Sequence, residues 1–237
     1  MKFVRGGLQM TTIRDCIAPD RNPKVPSIKL PEGSIDTHVH IFESQYPLFE
    51  GRGYNPPDST LDDLKHLHSQ LGVSRVVYTQ PSPYGVDNSA ILKGMKVMND
   101  ETPGRARGVC AIKMDVSDDF LEDLDKQGIK GVRLNMDNIG GMPIGLDEIP
   151  TLEARIKDLG WHVEYLFPGK DIVELAPIFK KSSVPISIAH FAYQPATNGI
   201  NSEGFKTLLD LVRDGNTWIK ISGANRVSET DLPPYDD

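Results

Sequence analysis

Basic residues are the minority charge in this 237-residue chain, with 26 lysines and arginines against 33 aspartates and glutamates, a formal net charge of −7. The phosphate backbone of a nucleic acid demands a basic surface, so this balance argues against a nucleic-acid partner. Cysteine is scarce: Cys16 and Cys110 are too few for a disulfide framework, and neither sits in a Cys-x-x-Cys spacing. No apolar run reaches the roughly 18 residues that a membrane helix needs. The N-terminus has no apolar stretch of the secretory kind, and no Gly-x-Gly-x-x-Gly or P-loop follows the first strand-like run. The expectation is a cytoplasmic protein with neither nucleic acid nor membrane as partner. With 38% hydrophobic residues, the chain has enough apolar material for a sizeable core.

Residues 1–30 are polar, carry three prolines and show no periodicity, so they read as an irregular N-terminal arm. Short β-branched or apolar runs then recur: Ile35 onward, 75–79, 108–113, 131–134, 162–166, 185–189 and 217–221. Each has the length of a strand buried on both faces. Amphipathic stretches lie between them. Leu61, Leu64, Leu67 and Leu71 follow a capping-box pair, Thr60 and Asp63, and precede Gly72. Comparable stretches end at Gly128, Gly160 and Gly215. The alternation of strand and helix predicts a parallel α/β sheet. Its even repetition favours a (β/α)8 TIM barrel, which typically takes about 250 residues. Seven strands are counted, so residues 31–237 are expected to form a single barrel domain that lacks its eighth βα unit.

Three histidines carry the chemistry. In Asp36-Thr-His-Val-His40, alternation along a strand aims His38 and His40 into one space at the strand's C-terminal end, where barrel enzymes build their sites. His190 ends the sixth strand-like run, so all three would meet at one barrel mouth. His66 and His68 fall on the first helix and are expected to be solvated, while His162 lies at the wrong end of its strand. Arg133 sits in a strand, where a guanidinium needs either a carboxylate partner or an anionic ligand. Lys220 and Arg226 flank the last strand and either add positive charge to the same rim or face solvent.

Four segments together, Asp36-Thr-His-Val-His-Ile-Phe42, Gly131-Val-Arg-Leu-Asn135, Leu159-Gly-Trp-His-Val163 and Trp218-Ile-Lys-Ile-Ser-Gly223, resemble the amidohydrolase superfamily. The likeness is to its 2-pyrone-4,6-dicarboxylate lactonase-like group and runs from about Ser34 to Ser228. The resemblance implies a hydrolase that opens the lactone ring of a small anionic substrate, with His38, His40 and His190 as catalytic residues. It implies substrate contacts from Tyr54, Ser82, Arg133 and Arg226. If a metal is present, the same three histidines would hold one divalent ion, zinc; a metal-free site is equally compatible, and a homo-oligomer is left open.

The chain departs from the group at Ile139 and Tyr193, where further arginines are expected, and at Leu166, where a tyrosine is expected beside Tyr165. Two fewer arginines favour a lactone with a single anionic group over a dicarboxylate. The group's catalytic aspartate belongs to strand eight, and Asp231, Asp236 and Asp237 do not match its motif. A metal-dependent decarboxylase using Asp36 beside the histidine pair, a sugar-lactone isomerase, and a barrel that only binds ligand are the alternatives.

Overall fold

The computed structural model describes residues 13–136 and 144–230, with 233, 235 and 236. Ile139, Asp231, Asp237 and the first twelve residues of the N-terminal arm lie outside the described residues. The rest of the arm is not wholly irregular: Arg14–Asp15 (β1) pairs in parallel with Tyr54–Asn55 (β3).

Among the described residues, seven strands form one sheet: Ile35–Val39 (β2), Arg75–Thr79 (β4), Ala106–Cys110 (β5), Ile129–Asn135 (β6), His162–Leu166 (β7), Ile186–Ile188 (β8) and Thr217–Ile219 (β9). They are all parallel and pair in strict chain order, β2-β4-β5-β6-β7-β8-β9. Sequential parallel pairing requires a crossover at each step, which helices supply. The sheet curls: the Lys220 ammonium, one residue past β9, donates to the Thr37 carbonyl of β2 at 3.0 Å, so the first and last strands come within one side chain's reach. The fold is thus an α/β fold with a curled parallel sheet.

Side-chain caps open three of the helices between the strands. Leu61–Leu71 (α1) opens on the Thr60–Asp63 capping box and closes on Gly72 at φ 77°. Asp118–Lys126 (α3) and Glu203–Arg213 (α6) are capped by Ser117 and Ser202, whose hydroxyls accept from the amides of Phe120 and Phe205. Ile149–Ile156 (α4) follows the expected apolar spacing. Two helices escape the periodicity reading. Ser89–Glu101 (α2) has no side-chain cap, because Asn88 is engaged with the backbone of Ala111 instead. Ile172–Phe179 (α5) is so apolar, with Pro177 inside, that it resembles a strand.

The core lies between sheet and helices. Tyr78 of β4 is fully buried, and an added Cβ at Gly94 of α2 would stand only 3.1 Å from its ring. Tyr165 of β7 packs on Phe179 of α5 with ring centroids 4.6 Å apart. Tyr165 therefore belongs to the helix-facing core and not to the site. His68 corrects its expectation: it is buried, with Nε2 3.3 Å from Asp36 Oδ2, tying α1 to β2.

Candidate active site

The histidine pair owes its aim to a bulge. Asp36 pairs with Val76 and Val39 with Tyr78, so three residue steps on β2 oppose two on β4. Such a bulge redirects side chains. Asp36 turns to His68 on the helix side, while His38 and His40 face one another with ring centroids 4.9 Å apart. Asp36 thus holds His68 through Oδ2 and accepts from the His38 amide through Oδ1.

His190 reaches the same place by an unusual backbone. His190, Phe191, Ala192 and Tyr193 have φ of 52°, 52°, 52° and 49°, a left-handed turn built without glycine. Left-handed helix costs about 1–2 kcal/mol per L-residue, and strain of this kind collects at functional sites. The turn brings the His190 ring to 4.9 Å from that of His38 and stacks Tyr193 on its other side at 5.9 Å. Gly223, at φ 73°, leaves room for it: a Cβ there would meet His190 Nδ1 at 3.1 Å.

The hydrogen bonds fix the protons on two of the rings. His40 Nδ1 lies 2.8 Å from the Thr79 carbonyl, which only accepts, so Nδ1 carries a proton. Burial, and next the charge of Arg133, lower the His40 pKa to about 3. His40 is therefore neutral near neutral pH, and its Nε2 is a lone pair. His38 Nε2 lies 3.3 Å from that lone pair and must be the donor. His38 Nδ1 must then accept, and Lys220 Nζ faces it at 3.0 Å. Burial, then His40, Lys220 and Arg133, hold His38 well below the usual histidine range. His190 is lowered to about 4 by burial and by Arg226 and Arg133, and its Nδ1 lies 2.9 Å from the Ser222 hydroxyl.

Glu164, fully buried on β7, is the residue that sequence reasoning missed. It forms a short ion pair with Lys220, and its Oε1 lies 3.6 Å from both Arg133 Nε and His38 Nδ1. Arg133 and Glu164 are register partners on adjacent strands. A glutamate inside an otherwise apolar strand was the signal, since a charge is buried only with partners. Arg133 also donates to the Gln80 carbonyl at 2.8 Å, so it is a paired internal cation.

Tyr54 and Ser82 lie close together, the Ser82 hydroxyl in hydrogen-bonding contact with the phenol; burial raises the Tyr54 pKa against the opposing charge of Arg133. Arg226 is exposed, with its guanidinium carbon 5.9 Å from the Tyr193 ring centroid and Nη1 3.4 Å from the phenol oxygen. Tyr193, which replaces an expected arginine, thus carries Arg226 at the edge of the His190 stack. The structure gathers His38, His40, His190, Arg133 and Lys220 at the C-terminal ends of the strands, with Arg226 at the rim.

A family model described as Amidohydrolase matches residues 35–237. The chain is 34% identical over 212 residues to a 2-pyrone-4,6-dicarboxylate hydrolase of Comamonas testosteroni, covering 88% of this chain and 68% of that one. It is 32% identical over 225 residues to a 4-sulfomuconolactone hydrolase of Hydrogenophaga intermedia, covering 94% and 73%. The crystal structure of a probable 2-pyrone-4,6-dicarboxylic acid hydrolase from Acinetobacter baumannii, with citric acid bound, superposes with a TM-score of 0.74 at 29% identity, covering 86% of this chain and 74% of that one. The strand-end histidines, the curled parallel sheet and these matches agree, and the chain belongs to the amidohydrolase family, as an enzyme of its 2-pyrone-4,6-dicarboxylate lactonase-like group.

Proposed function

We propose that this enzyme hydrolyses a lactone, a cyclic ester, of a small substrate with one anionic group, on a (β/α)8-type barrel frame. The observation that carries the reading is the convergence of three imidazoles, all held neutral by burial and nearby cations, at one strand-end mouth beside Arg226. Ester hydrolysis needs a donor where the carbonyl oxygen gains charge. His38 Nε2–H is such a donor, and a carbonyl oxygen entering the site takes the place of His40 as its acceptor. His40, with a pKa of about 3, is too weak a base to take the water proton, so it orients the nucleophile. The family resemblance assigns the base to a strand-eight aspartate.

Arg226 on Tyr193 offers the anion a partner, while Arg133, which spends Nη1 on the Gln80 carbonyl and lies 3.6 Å from Glu164, adds a buried cation behind it. Tyr54 and Ser82 complete the substrate wall. The lactone-hydrolase names of the Comamonas and Hydrogenophaga relatives support the reaction, and citric acid in the Acinetobacter structure supports an anionic ligand.

The donor set does not fit a metal ion as arranged. Among the described residues, no group of three His, Cys, Asp or Glu side chains is arranged to hold an ion. We therefore route no step through a metal.

The test is turnover of a panel of muconolactones, pyrone carboxylates and sugar lactones, followed by base uptake and product analysis. One acid equivalent released per ring opened supports the reading. An isomeric lactone without acid release identifies an isomerase. A ligand-induced melting shift without turnover identifies a binding protein. Either of the last two results overturns hydrolysis.

A further inference from the structure

We propose that Lys220, anchored by Glu164, is a positioning residue that sets the tautomer of His38, keeping its proton on Nε2 and making that N–H a stronger donor to the substrate carbonyl. The inference rests on the lactone reading for its catalytic consequence but not for its geometry. Two groups of opposite polarity face His38 Nδ1. Lys220 Nζ, which only donates, is at 3.0 Å, and Glu164 Oε1, which only accepts, is at 3.6 Å. Lysine at Nδ1 requires a lone pair there and a proton on Nε2. A carboxylate at Nδ1 requires the reverse. The ammonium wins because it is nearer and triply held: it donates to the Thr37 carbonyl at 3.0 Å, pairs with Glu164 and meets His38.

The far end of the chain of bonds favours the same answer, but by one neutral contact, which the buried Glu164 carboxylate facing Nδ1 outweighs once Lys220 is removed. The Thr79 carbonyl holds the His40 proton on Nδ1, so His40 presents a lone pair to His38. Were His38 to move its proton to Nδ1, two Nε2 lone pairs would face each other at 3.3 Å. The relay Lys220–His38–His40–Thr79 therefore has one consistent direction, donor to acceptor throughout. Its polarity is the reverse of a carboxylate–imidazole pair, in which the carboxylate takes Nδ1–H and makes Nε2 a base. A cation at Nδ1 withdraws electron density from the ring and makes Nε2–H the donor instead. Glu164 cancels the charge of Lys220 without touching Nε2, and its position on β7 lets it hold the ammonium from behind.

The test is nitrogen NMR of the full-length chain carrying 15N-labelled histidine, without substrate, at neutral pH. His38 is assigned by the loss of its signals in His38→Asn. The expected result is an Nε2–H tautomer for His38 in the wild type, a switch to Nδ1–H in Lys220→Met, and retention of Nε2–H in Lys220→Arg. With a turned-over lactone, Lys220→Met should lower kcat about a hundredfold, the size of a lost carbonyl donor, with KM within about twofold, and Lys220→Arg should recover part of it. An Nδ1–H tautomer in the wild type overturns the inference, as does a tautomer that Lys220→Met leaves unchanged. The wild-type spectrum decides even where a variant fails to fold. Failure of the lactone reading is separate, because it shows as absent turnover in a wild type whose tautomer is as stated.

Discussion

Gly169, ahead of α5, lies so close under the left-handed turn that a Cβ on it would collide with the carbonyl oxygen of Tyr193. The Gln194 side chain pins the pair, donating to the Gly169 carbonyl at 2.7 Å. The strained backbone that presents His190 is thus held from below by a residue with no side chain, and strain of this kind persists only where its surroundings over-determine it.

Gly169→Ala should accordingly displace the turn. We expect a loss of about 1–3 kcal/mol of stability together with a fall in kcat that exceeds any rise in KM, because His190 moves with Tyr193. Denaturant midpoints and steady-state kinetics check this, and an unperturbed variant would show that the contact is slack.

Arg226 makes a different prediction because it is exposed and held by one aromatic ring. Arg226→Ala should raise KM for an anionic lactone about tenfold, the equivalent of one charged contact, with kcat and melting temperature unchanged. Tyr193→Phe should give part of that effect, since it removes only the phenol oxygen that receives Nη1 at 3.4 Å. Equal KM values for charged and uncharged lactones would remove Arg226 from the binding site.

Arg133 separates from Arg226 by burial. Removing one partner of a buried ion pair costs about 3–5 kcal/mol, and Arg133 is opposed by the fully buried Glu164. Arg133→Ala should therefore cost stability first, seen as a lower melting temperature, whereas Arg133→Lys should keep most of it. A stable Arg133→Ala with only a raised KM would instead make Arg133 a substrate ligand.

The strand rhythm, the cap of α1, and the convergence of His38, His40 and His190 were legible because each depends on local spacing. What was not legible depends on partners far away in the chain. The bulge that turns Asp36 to His68 is a mismatch between two strands and leaves no mark in either one. Lys220 read as a rim charge because its partners, Thr37, His38 and Glu164, lie up to 183 residues away. Glu164 was visible as a charge inside a strand, but its pairing with two cations required the register of β6 and β7. The left-handed turn has little sequence signature, since His-Phe-Ala-Tyr contains no glycine, asparagine or aspartate.

The buried imidazoles predict an acid sensitivity with a definite sign. His40 titrates at about 3 in the folded protein and at about 6.5 when unfolded. Between those values the unfolded chain binds a proton that the native protein does not, so stability falls as the pH is lowered through that window. For His40 the slope approaches about 1.4 kcal/mol per pH unit. His190, lowered to about 4 but partly exposed, adds in the same direction to a smaller extent. His40→Asn retains a donor for the Thr79 carbonyl without a titrating ring, and it should flatten the dependence between pH 6 and 4. Chemical unfolding of both proteins across that range checks the sign: a wild type equally stable at pH 4 and pH 7 would mean that His40 is protonated in the fold, and that the relay from Lys220 to Thr79 does not run in the direction its partners dictate.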